Sequence, residues 1–340
     1  MKFEKIKILR YAQKLKNQQN NFKYNYDIRE GFIIKLYMQG FCGHGEAAPL
    51  PFFSNENLKE VEWAFEELKA SLSNELKYDK DELLNLFELF TSKTPSLNFA
   101  LDIALYDILS QIKNISLSKY LDNNSKEALK FSDLYFKGID QINNVIKIKL
   151  TKGNFLEDLK FFKEASSKLN PGTIFRIDCN RSYNLESAVA LCSELAKYNI
   201  EYIEEPLQDP SLNSIKQFKK EVQIPLAIDE SIIDGSYKQI VNEGLIDFAI
   251  LKPSLYGSIK KINEFKFFLD IRNIKLIFSS ALETEIGNMA CVHIGAVLGE
   301  NLNHGLNNYC FYDYKKLNIY SKKDIKVNLN KIIGLGVSYD

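Results

Sequence analysis

The sequence predicts an α/β fold: a modified TIM (β/α)-barrel with an N-terminal α+β capping domain that the C-terminal tail completes. The first observation behind this prediction is a repeat. Between residues 145 and 279, six short apolar runs each end in a polar or charged residue, and these end residues lie 23 to 29 positions apart. A strand, a loop and a covering helix need about this length in a parallel β/α unit. The second observation is that strands followed by helices precede the repeat, which is typical of a separate α+β unit.

The six runs are rich in Ile, Leu and Phe and alternate little, which is typical of strands buried on both faces. They are Val145 to Lys149, Ile174 to Asp178, Tyr202 to Glu204 (followed by Glu205 and Pro206), Pro225 to Asp229, Phe248 to Lys252 and Leu276 to Ser279. Helical segments are predicted between them, at 155–169, 184–198, 212–222 and 259–273. Because so many β-then-α units follow one another, a closed barrel is favoured over an open sheet.

These patterns divide the chain into a capping domain at 1–120, a barrel at 121–312 and a tail at 313–340 that returns to the capping domain. The first barrel strand is predicted at 134–136. The eighth is predicted at 306–309, although its two asparagines are poor strand residues.

Within the capping domain, a hairpin is predicted from Tyr26 through Gly45, with its turn at Gln39 and Gly40. Helices are predicted within 56–75, at 81–89 and from Pro95 to Ile112, because apolar residues recur there at helical spacing.

Composition excludes several classes of function. The 44 basic and 44 acidic residues balance, so no nucleic-acid partner is expected. The N-terminus opens no apolar stretch typical of a signal peptide, and no run is long enough to span a membrane. The five cysteines are odd in number and form no CxxC pair, which favours reduced thiols in a cytoplasmic protein. The sequence leaves the oligomeric state open, so the protein is expected to be either a monomer or a homo-oligomer.

Polar residues that end the runs form the candidate site. In a β/α barrel, the C-terminal ends of the strands point into one mouth, so Lys149, Asp178, Glu204, Asp229 and Lys252 are expected to meet there. Three carboxylates without His or Cys make a hard oxygen site that suits Mg²⁺, with Mn²⁺ as a substitute. A metal ion together with a lysine base is a means of removing the proton next to a carboxylate of a small-molecule substrate.

Each of these residues also has a plainer interpretation. A carboxylate at a strand end is often a helix N-cap, two lysines can mark an exposed edge strand, and a lysine after an apolar run can extend its ammonium group to solvent. Three carboxylates at one-unit spacing favour the metal site. Lys147 and Lys149 share one face of their strand, and Lys147 is expected to help lower the pKa of Lys149. Further candidates for substrate contacts are Asn180, Ser279, Ser280 and Arg29.

The motifs resemble those of the muconate-lactonising branch of the enolase superfamily. They are Lys147-x-Lys149, Asp178-x-Asn180, Glu204-Glu205-Pro206, Asp229-Glu230-Ser231 and Lys252-Pro253, in the order of that branch. The segment 45–51 resembles the capping-domain loop of the o-succinylbenzoate synthases in this branch, and 252–258 and 279–283 are similar to their sixth and seventh strand ends. The resemblance covers roughly residues 29 to 310, and it implies that Glu204, not Glu205, is the metal ligand.

The resemblance implies a lyase of menaquinone biosynthesis that dehydrates 2-succinyl-6-hydroxy-2,4-cyclohexadiene-1-carboxylate. Lys149 would be the base, and Lys252 would stabilise the charged intermediate from the other face. A dipeptide epimerase or N-acylamino acid racemase of the same superfamily is the alternative, since two opposed lysines also suit proton exchange at one carbon. Epimerases of this branch carry an Asp-x-Asp after the last strand, and none occurs near 300–310. A non-catalytic binding barrel is the second alternative, which the complete lysine and carboxylate set disfavours. Departures from the synthase pattern lie mostly at 281–285.

Overall fold

The computed structural model of the chain describes residues 1–20, 25–138, 141, 143–308, 311–312 and 326–339. The secondary structure begins with β1 (Phe3–Asn20), β2 (Asn25–Met38), β3 (Phe41–Ala47), α1 (Leu58–Ser71), α2 (Lys80–Thr91) and α3 (Pro95–Lys113). The strands form an antiparallel sheet in the order β1-β2-β3. This is the predicted α+β capping domain, and its three helices lie where the apolar spacing predicts them.

The hairpin turn between β2 and β3 has the conformation that its sequence favours. Gln39 and Gly40 have φ angles of 52° and 79°. A two-residue type I′ turn requires positive φ at both central positions, which glycine adopts without a steric cost. The turn therefore sets the register in which Met38 pairs with Phe41.

Two further glycines allow α3 to lie directly against β3. A Cβ atom added to Gly43 or Gly45 would lie 1.9 Å from the carbonyl oxygen of Ala104 or Ala100, respectively. A larger residue at either position would therefore push the helix away from the strand. This packing fixes β3, which leads directly into residues 48–57, the segment that reaches the barrel.

The barrel alternates strands and helices as predicted. Its elements are α4 (Leu117–Leu121), β4 (Ala128–Phe131), β5 (Asp133–Leu134), β6 (Val145–Lys149), α5 (Phe155–Ser166), β7 (Ile174–Asp178), α6 (Leu185–Leu195), β8 (Ile200–Glu204), α7 (Leu212–Glu221), β9 (Leu226–Ile228), α8 (Glu230–Ile233), α9 (Tyr237–Asn242), β10 (Phe248–Leu251), α10 (Pro253–Tyr256), α11 (Ile259–Asp270), β11 (Lys275–Phe278), α12 (Glu285–Leu298) and β12 (Asn303–His304). Strands β5 to β11 form a parallel sheet in sequence order. The predicted modified barrel fold is confirmed.

The eighth strand lies earlier than the predicted 306–309. It is β12, which pairs in parallel with β4, and Gly305 next to it bridges to Ser279 at the end of β11. The backbone N–H of Ser132 also donates to the carbonyl of His304 (2.9 Å). These bonds close the sheet. A search for apolar runs misplaces this strand because its two residues are Asn and His. Burial lowers the pKa of His304 to about 3, so its ring is neutral in the sheet.

The first strand also begins earlier than predicted, since β4 and β5 occupy 128–134 rather than 134–136. The described part of the tail holds β13 (Lys326–Asn328), which pairs antiparallel with β4, and a 3₁₀ turn (Leu329–Lys331). Further on, the N–H of Leu335 donates to Asp107 of α3 (2.8 Å). The described tail therefore contacts both the barrel and the capping domain, while 313–325 lie outside the described residues.

Other sequence-based expectations concern thiols and membranes. Cys42, Cys179, Cys192 and Cys291 are free thiols, and Cys310 lies outside the described residues. Within the part of the chain that the structure describes, no helix is both long enough and apolar enough to cross a bilayer.

Candidate active site

Adjacent strand ends bring the predicted carboxylates together. Asp178 pairs with Lys149 on one side and with Glu204 on the other. Glu204 pairs with Ala227, so Asp229 follows immediately beyond the next strand. The exposed fractions of Asp178, Glu204 and Asp229 are 2%, 0% and 3%. Three neighbouring strands thus end in buried acids, as the spacing of the apolar runs predicts.

A cavity at this end of the barrel collects most of the predicted site residues. Its lining includes eight of the predicted site residues: Lys147, Lys149, Asp178, Asn180, Asp229, Lys252, Ser279 and Ser280. Residues of the segment 48–57, called the capping segment below, and residues in and next to the first and last strands also line it. Glu204 does not line the cavity and is fully buried beneath it. The structure thus brings together distant positions of the chain in one cavity, with the exceptions of Glu204 and Arg29.

Lys147 occupies the space between two of the carboxylates. Its Nζ lies 2.8 Å from Asp178 Oδ2 and 2.9 and 2.8 Å from the two carboxylate oxygens of Glu204. Burial alone lowers the pKa of Lys147, but Asp178 and Glu204 outweigh it and raise the pKa well above its usual value. The two carboxylates thus favour the charged form of Lys147.

Lys149 has the opposite character. Burial lowers its pKa, and the positive charges of Lys147 and Lys252 act in the same direction, while Asp178 opposes them. Because the neutral amine is the proton acceptor, a lowered pKa raises the neutral fraction of Lys149, so Lys149 is more available as a base than Lys147. The predicted influence of Lys147 on Lys149 is thus present in the structure.

Lys252 enters the cavity from the opposite wall. It directly follows β10, which is separated from β6 by β7, β8 and β9 on one side and by β11, β12, β4 and β5 on the other. Its ammonium group donates to the carboxylate of Asp229 and lies 4.1 Å from the ring centroid of Phe53, which belongs to the capping domain. A cation over an aromatic face is stabilised by the ring quadrupole. The capping domain thus contacts one of the two lysines directly.

The residues at the strand ends have the donor chemistry that Mg²⁺ prefers. No three carboxylate, imidazole or thiol groups among the described residues converge as around a shared ion, and Lys147 and Lys252 lie against the carboxylates. The donors are nevertheless all hard oxygens. Asn180 Oδ1 and Glu230 Oε2 are buried here without a hydrogen-bond partner. Burial and the charges of Asp229 and Glu205 raise the pKa of Glu230 to about 8. A cation would relieve this concentration of negative charge.

The predicted substrate-contact residues differ in their availability. Ser279 lines the cavity. The hydroxyl of Ser280 donates to Glu283 (2.5 Å) and accepts the N–H of Leu282 (2.8 Å), so it is engaged within its own loop. The amide of Asn180 donates to Glu230 Oε1 (2.8 Å). Ser279 is therefore the serine whose surroundings suit a contact with substrate.

Arg29, the fourth candidate for substrate contacts, lies outside the cavity. Its guanidinium donates to the carbonyls of Ala48, Pro49 (2.7 Å), Glu30 (3.0 Å) and Ala281 (3.2 Å). It is buried against the backbone. The role of Arg29 in substrate contact stays a prediction, since in this structure its donors are bonded to these backbone carbonyls. Arg29 thereby fastens the capping segment to the loop after β11.

Glu46 also connects the capping domain to the barrel. The sequence analysis does not predict this role, although Glu46 lies in the 45–51 motif. Its carboxylate accepts the N–H groups of Thr284 (3.0 Å) and Gly287 (2.9 Å) at the start of α12. Tyr11 donates its hydroxyl to the same carboxylate (2.5 Å). Thr284 is the N-cap of α12 and makes no side-chain cap of its own. The capping domain therefore supplies the helix cap of a barrel element.

Glu46→Ala is expected to lower the free energy of unfolding by about 2 kcal/mol or more, because several buried donors lose their acceptor at about 1–3 kcal/mol each. Urea unfolding measures this. Glu60→Ala is the matched control, because Glu60 also closes a helix cap but is exposed, and such caps contribute about 0.5–2 kcal/mol. Equal losses in the two variants would contradict the role of Glu46.

Comparison with known proteins supports this architecture. Residues 137–340 match the family described as enolase C-terminal domain-like, and residues 4–108 match the MenC N-terminal domain. The chain is 25% identical to an L-Ala-D/L-Glu epimerase of Francisella tularensis subsp. novicida over 77% of this chain and 78% of that protein. It is 24% identical to an o-succinylbenzoate synthase of Haemophilus influenzae over 88% of both.

A solved structure shares the whole fold. The dipeptide epimerase of Enterococcus faecalis, complexed with Mg and the dipeptide L-Leu-L-Tyr, has a TM-score of 0.86 and 21% identity over 100% of both chains. At this identity the likeness shows the fold and not the activity. The match of the C-terminal family model, however, spans well over half of the chain. The protein therefore belongs to the enolase superfamily, with an enolase C-terminal domain-like barrel behind its capping domain.

Proposed function

We propose that the protein is an o-succinylbenzoate synthase, which dehydrates 2-succinyl-6-hydroxy-2,4-cyclohexadiene-1-carboxylate in menaquinone biosynthesis. The observation that carries the proton chemistry is the placement of Lys149 and Lys252 on opposite walls of one cavity, with Phe53 of the capping domain beside Lys252. The match of residues 4–108 to the MenC N-terminal domain supports it, as does the Haemophilus influenzae relative of nearly the same length.

The chain's own residues supply the proton chemistry. Lys149 takes the proton from the carbon next to the ring carboxylate, and the electron pair of that C–H bond moves toward the carboxylate. The C–OH bond then breaks, and the proton on Lys149 leaves with the hydroxide as water. Lys252 faces the intermediate from the other side, where its positive charge stabilises the added negative charge. Mg²⁺ held by Asp178, Glu204 and Asp229 would supply further positive charge for the carboxylate.

A dipeptide epimerase is the second candidate, because two of the relatives named above are epimerases and opposed lysines suit proton exchange at one carbon. The cavity wall disfavours it. The carboxylate of Asp133 accepts hydrogen bonds from Asn143 (2.9 and 2.6 Å) and from Asn307 (2.8 Å). Asn308 donates to the carbonyl of Glu283 (3.1 Å). Within 305–308 and 311–312, the described residues that directly follow β12, there is thus no acid to hold a substrate amine, and the amides of Asn307 and Asn308 bond within the protein.

The test is a direct assay of the purified protein with Mg²⁺. We expect turnover of the cyclohexadiene carboxylate with a kcat/KM at least about 100-fold above that of the best dipeptide or N-acylamino acid in a parallel panel, equivalent to about 2.7 kcal/mol of transition-state discrimination. Lys149→Ala, purified identically, controls for host enzymes. Faster turnover of dipeptides would favour the epimerase, and no turnover of any substrate would favour a binding barrel.

A further inference from the structure

The two adjacent glutamates after β8 face different surroundings. Glu204 contacts Lys147, whereas the Glu205 carboxylate lies in a separate buried network. Glu205 Oε1 accepts the backbone N–H groups of Asp229 (3.0 Å) and Ser231 (2.7 Å). Glu205 Oε2 accepts Nε–H of Arg181 (2.9 Å). One carboxylate thus connects the segments that follow three neighbouring strands.

The backbone around this network has an uncommon conformation. Asn180, Arg181 and Glu205 have φ angles of 42°, 57° and 41°, in the left-handed region that non-glycine residues seldom adopt. They follow closely on Asp178 and Glu204. Such conformations persist only where the surrounding structure holds them. The N–H of Arg181 donates to the carbonyl of Glu205 (2.7 Å), which joins the two turns directly.

Arg181 completes the connection. Besides Glu205, its guanidinium donates to the Ser231 hydroxyl (2.8 Å) and to Asp234 (2.7 Å), both of which lie just after Asp229. A planar guanidinium with several fixed donors holds its partners in one relative geometry. The Arg181–Glu205 pair therefore ties the turn after Asp178 to the segment that begins at Asp229.

We propose that Glu205, held by Arg181, is a positioning residue that sets the backbone position of Asp229 relative to Asp178 and Glu204, and thereby the Mg²⁺ affinity of the site. The inference rests on the metal site of the proposed function and adds to it a residue that does not touch the ion. Metal coordination tolerates displacements of only about 0.2 Å. Loss of a residue that orients a ligand typically reduces metal affinity by about 10–100-fold.

Glu205→Gln is the informative substitution because it preserves the size of the side chain. The amide oxygen can still accept from the backbone, but its NH₂ group would face Arg181, a donor against a donor. The hydrogen bond between Arg181 and the side chain of residue 205 is then lost, so the turn after Asp178 and the backbone of Asp229 can shift relative to each other. Arg181→Gln removes the same connection from the other end and leaves Glu205 with its two backbone donors.

The chain offers a matched control on the same pair of strands. Glu201 of β8 pairs with Arg176 of β7 (2.6 Å), and Arg176 is buried. The pair precedes the carboxylates on both strands, and Arg176 donates to the carbonyl of Asn303 (2.7 Å) at the closing strand. Glu201→Gln therefore breaks a similar ion pair without touching Asp229.

Isothermal titration of Mg²⁺ into wild type and the three variants tests the inference, with circular dichroism to confirm folding. Glu205→Gln should weaken Mg²⁺ binding about 10–100-fold, and Arg181→Gln in the same direction, while Glu201→Gln stays within about threefold of wild type. If Glu205→Gln does not fold, Arg181→Gln decides. Wild-type affinity in a folded Glu205→Gln or Arg181→Gln, or an equal loss in Glu201→Gln, would overturn the inference. Absence of Mg²⁺ binding by the wild type would instead overturn the proposed function and the inference together.

Discussion

Lys149→Ala should abolish dehydration, with a loss of about 10²–10⁴-fold or more in kcat, because the reaction has lost its general base. Lys149→Arg is the informative companion, since arginine keeps a positive charge but is effectively always protonated and cannot take a proton. Both variants should therefore be inactive. Substantial activity in Lys149→Arg would show that Lys149 contributes charge and not proton transfer.

Lys252→Ala should also be severely impaired, through loss of charge that stabilises the intermediate. The two lysines are distinguished by exchange of the α-proton of a stable substrate analogue in D₂O. Under the synthase proposal, exchange depends on Lys149 and occurs from one face only, and Lys252→Ala slows the exchange without changing its face. Exchange from both faces, with dipeptides turned over faster than the cyclohexadiene, would overturn the synthase proposal in favour of an epimerase.

The pH profile belongs to the same prediction. Burial and neighbouring ammonium groups lower the pKa of Lys149, and the neutral amine is the active form. The rate should therefore rise with pH through this lowered pKa and level off above it, with the acid limb below the usual lysine value of about 10.4.

Removal of divalent metal with EDTA should abolish activity, and Mg²⁺ or Mn²⁺ should restore it. The acids at three strand ends are oxygen ligands, and the ion would supply charge that no lysine in the cavity replaces. The protein should remain folded without metal, because Lys147 and Lys252 already pair with these acids. Full activity in a rigorously metal-free sample would remove this part of the proposal.

Binding should also be visible without an assay. Mg²⁺ at about 100 times its Kd should stabilise wild type by about 2.7 kcal/mol, since a ligand that binds only the native state raises its stability by mass action. Asp178→Asn, which removes one expected ligand, should lose most of this stabilisation. Glu194→Gln, an acid on the surface of α6, should retain it.

Much of the barrel was predictable because strands that are buried on both faces appear in the sequence as apolar runs at regular spacing. Strands β6 to β11 lie within two residues of the six apolar runs. A strand buried on both faces must be apolar throughout, and its end must be polar where it reaches the mouth. That single rule locates Asp178, Glu204, Asp229, Lys149 and Lys252 on the cavity side of the barrel. It fails for β12, whose two polar residues join the sheet through their backbone.

The sequence by itself thus determined the fold class, the order of the strands and the acids and lysines at their ends, since each depends on local patterning and on the topology of parallel units. The tertiary structure decided which side chains remain available. Arg29 donates to backbone carbonyls, Ser280 bonds within its own loop, and Glu46 caps a barrel helix. Two adjacent glutamates have different partners, Lys147 for Glu204 and Arg181 for Glu205. Most of these hydrogen-bond partners lie far apart in the chain, so they cannot be predicted from a local sequence pattern.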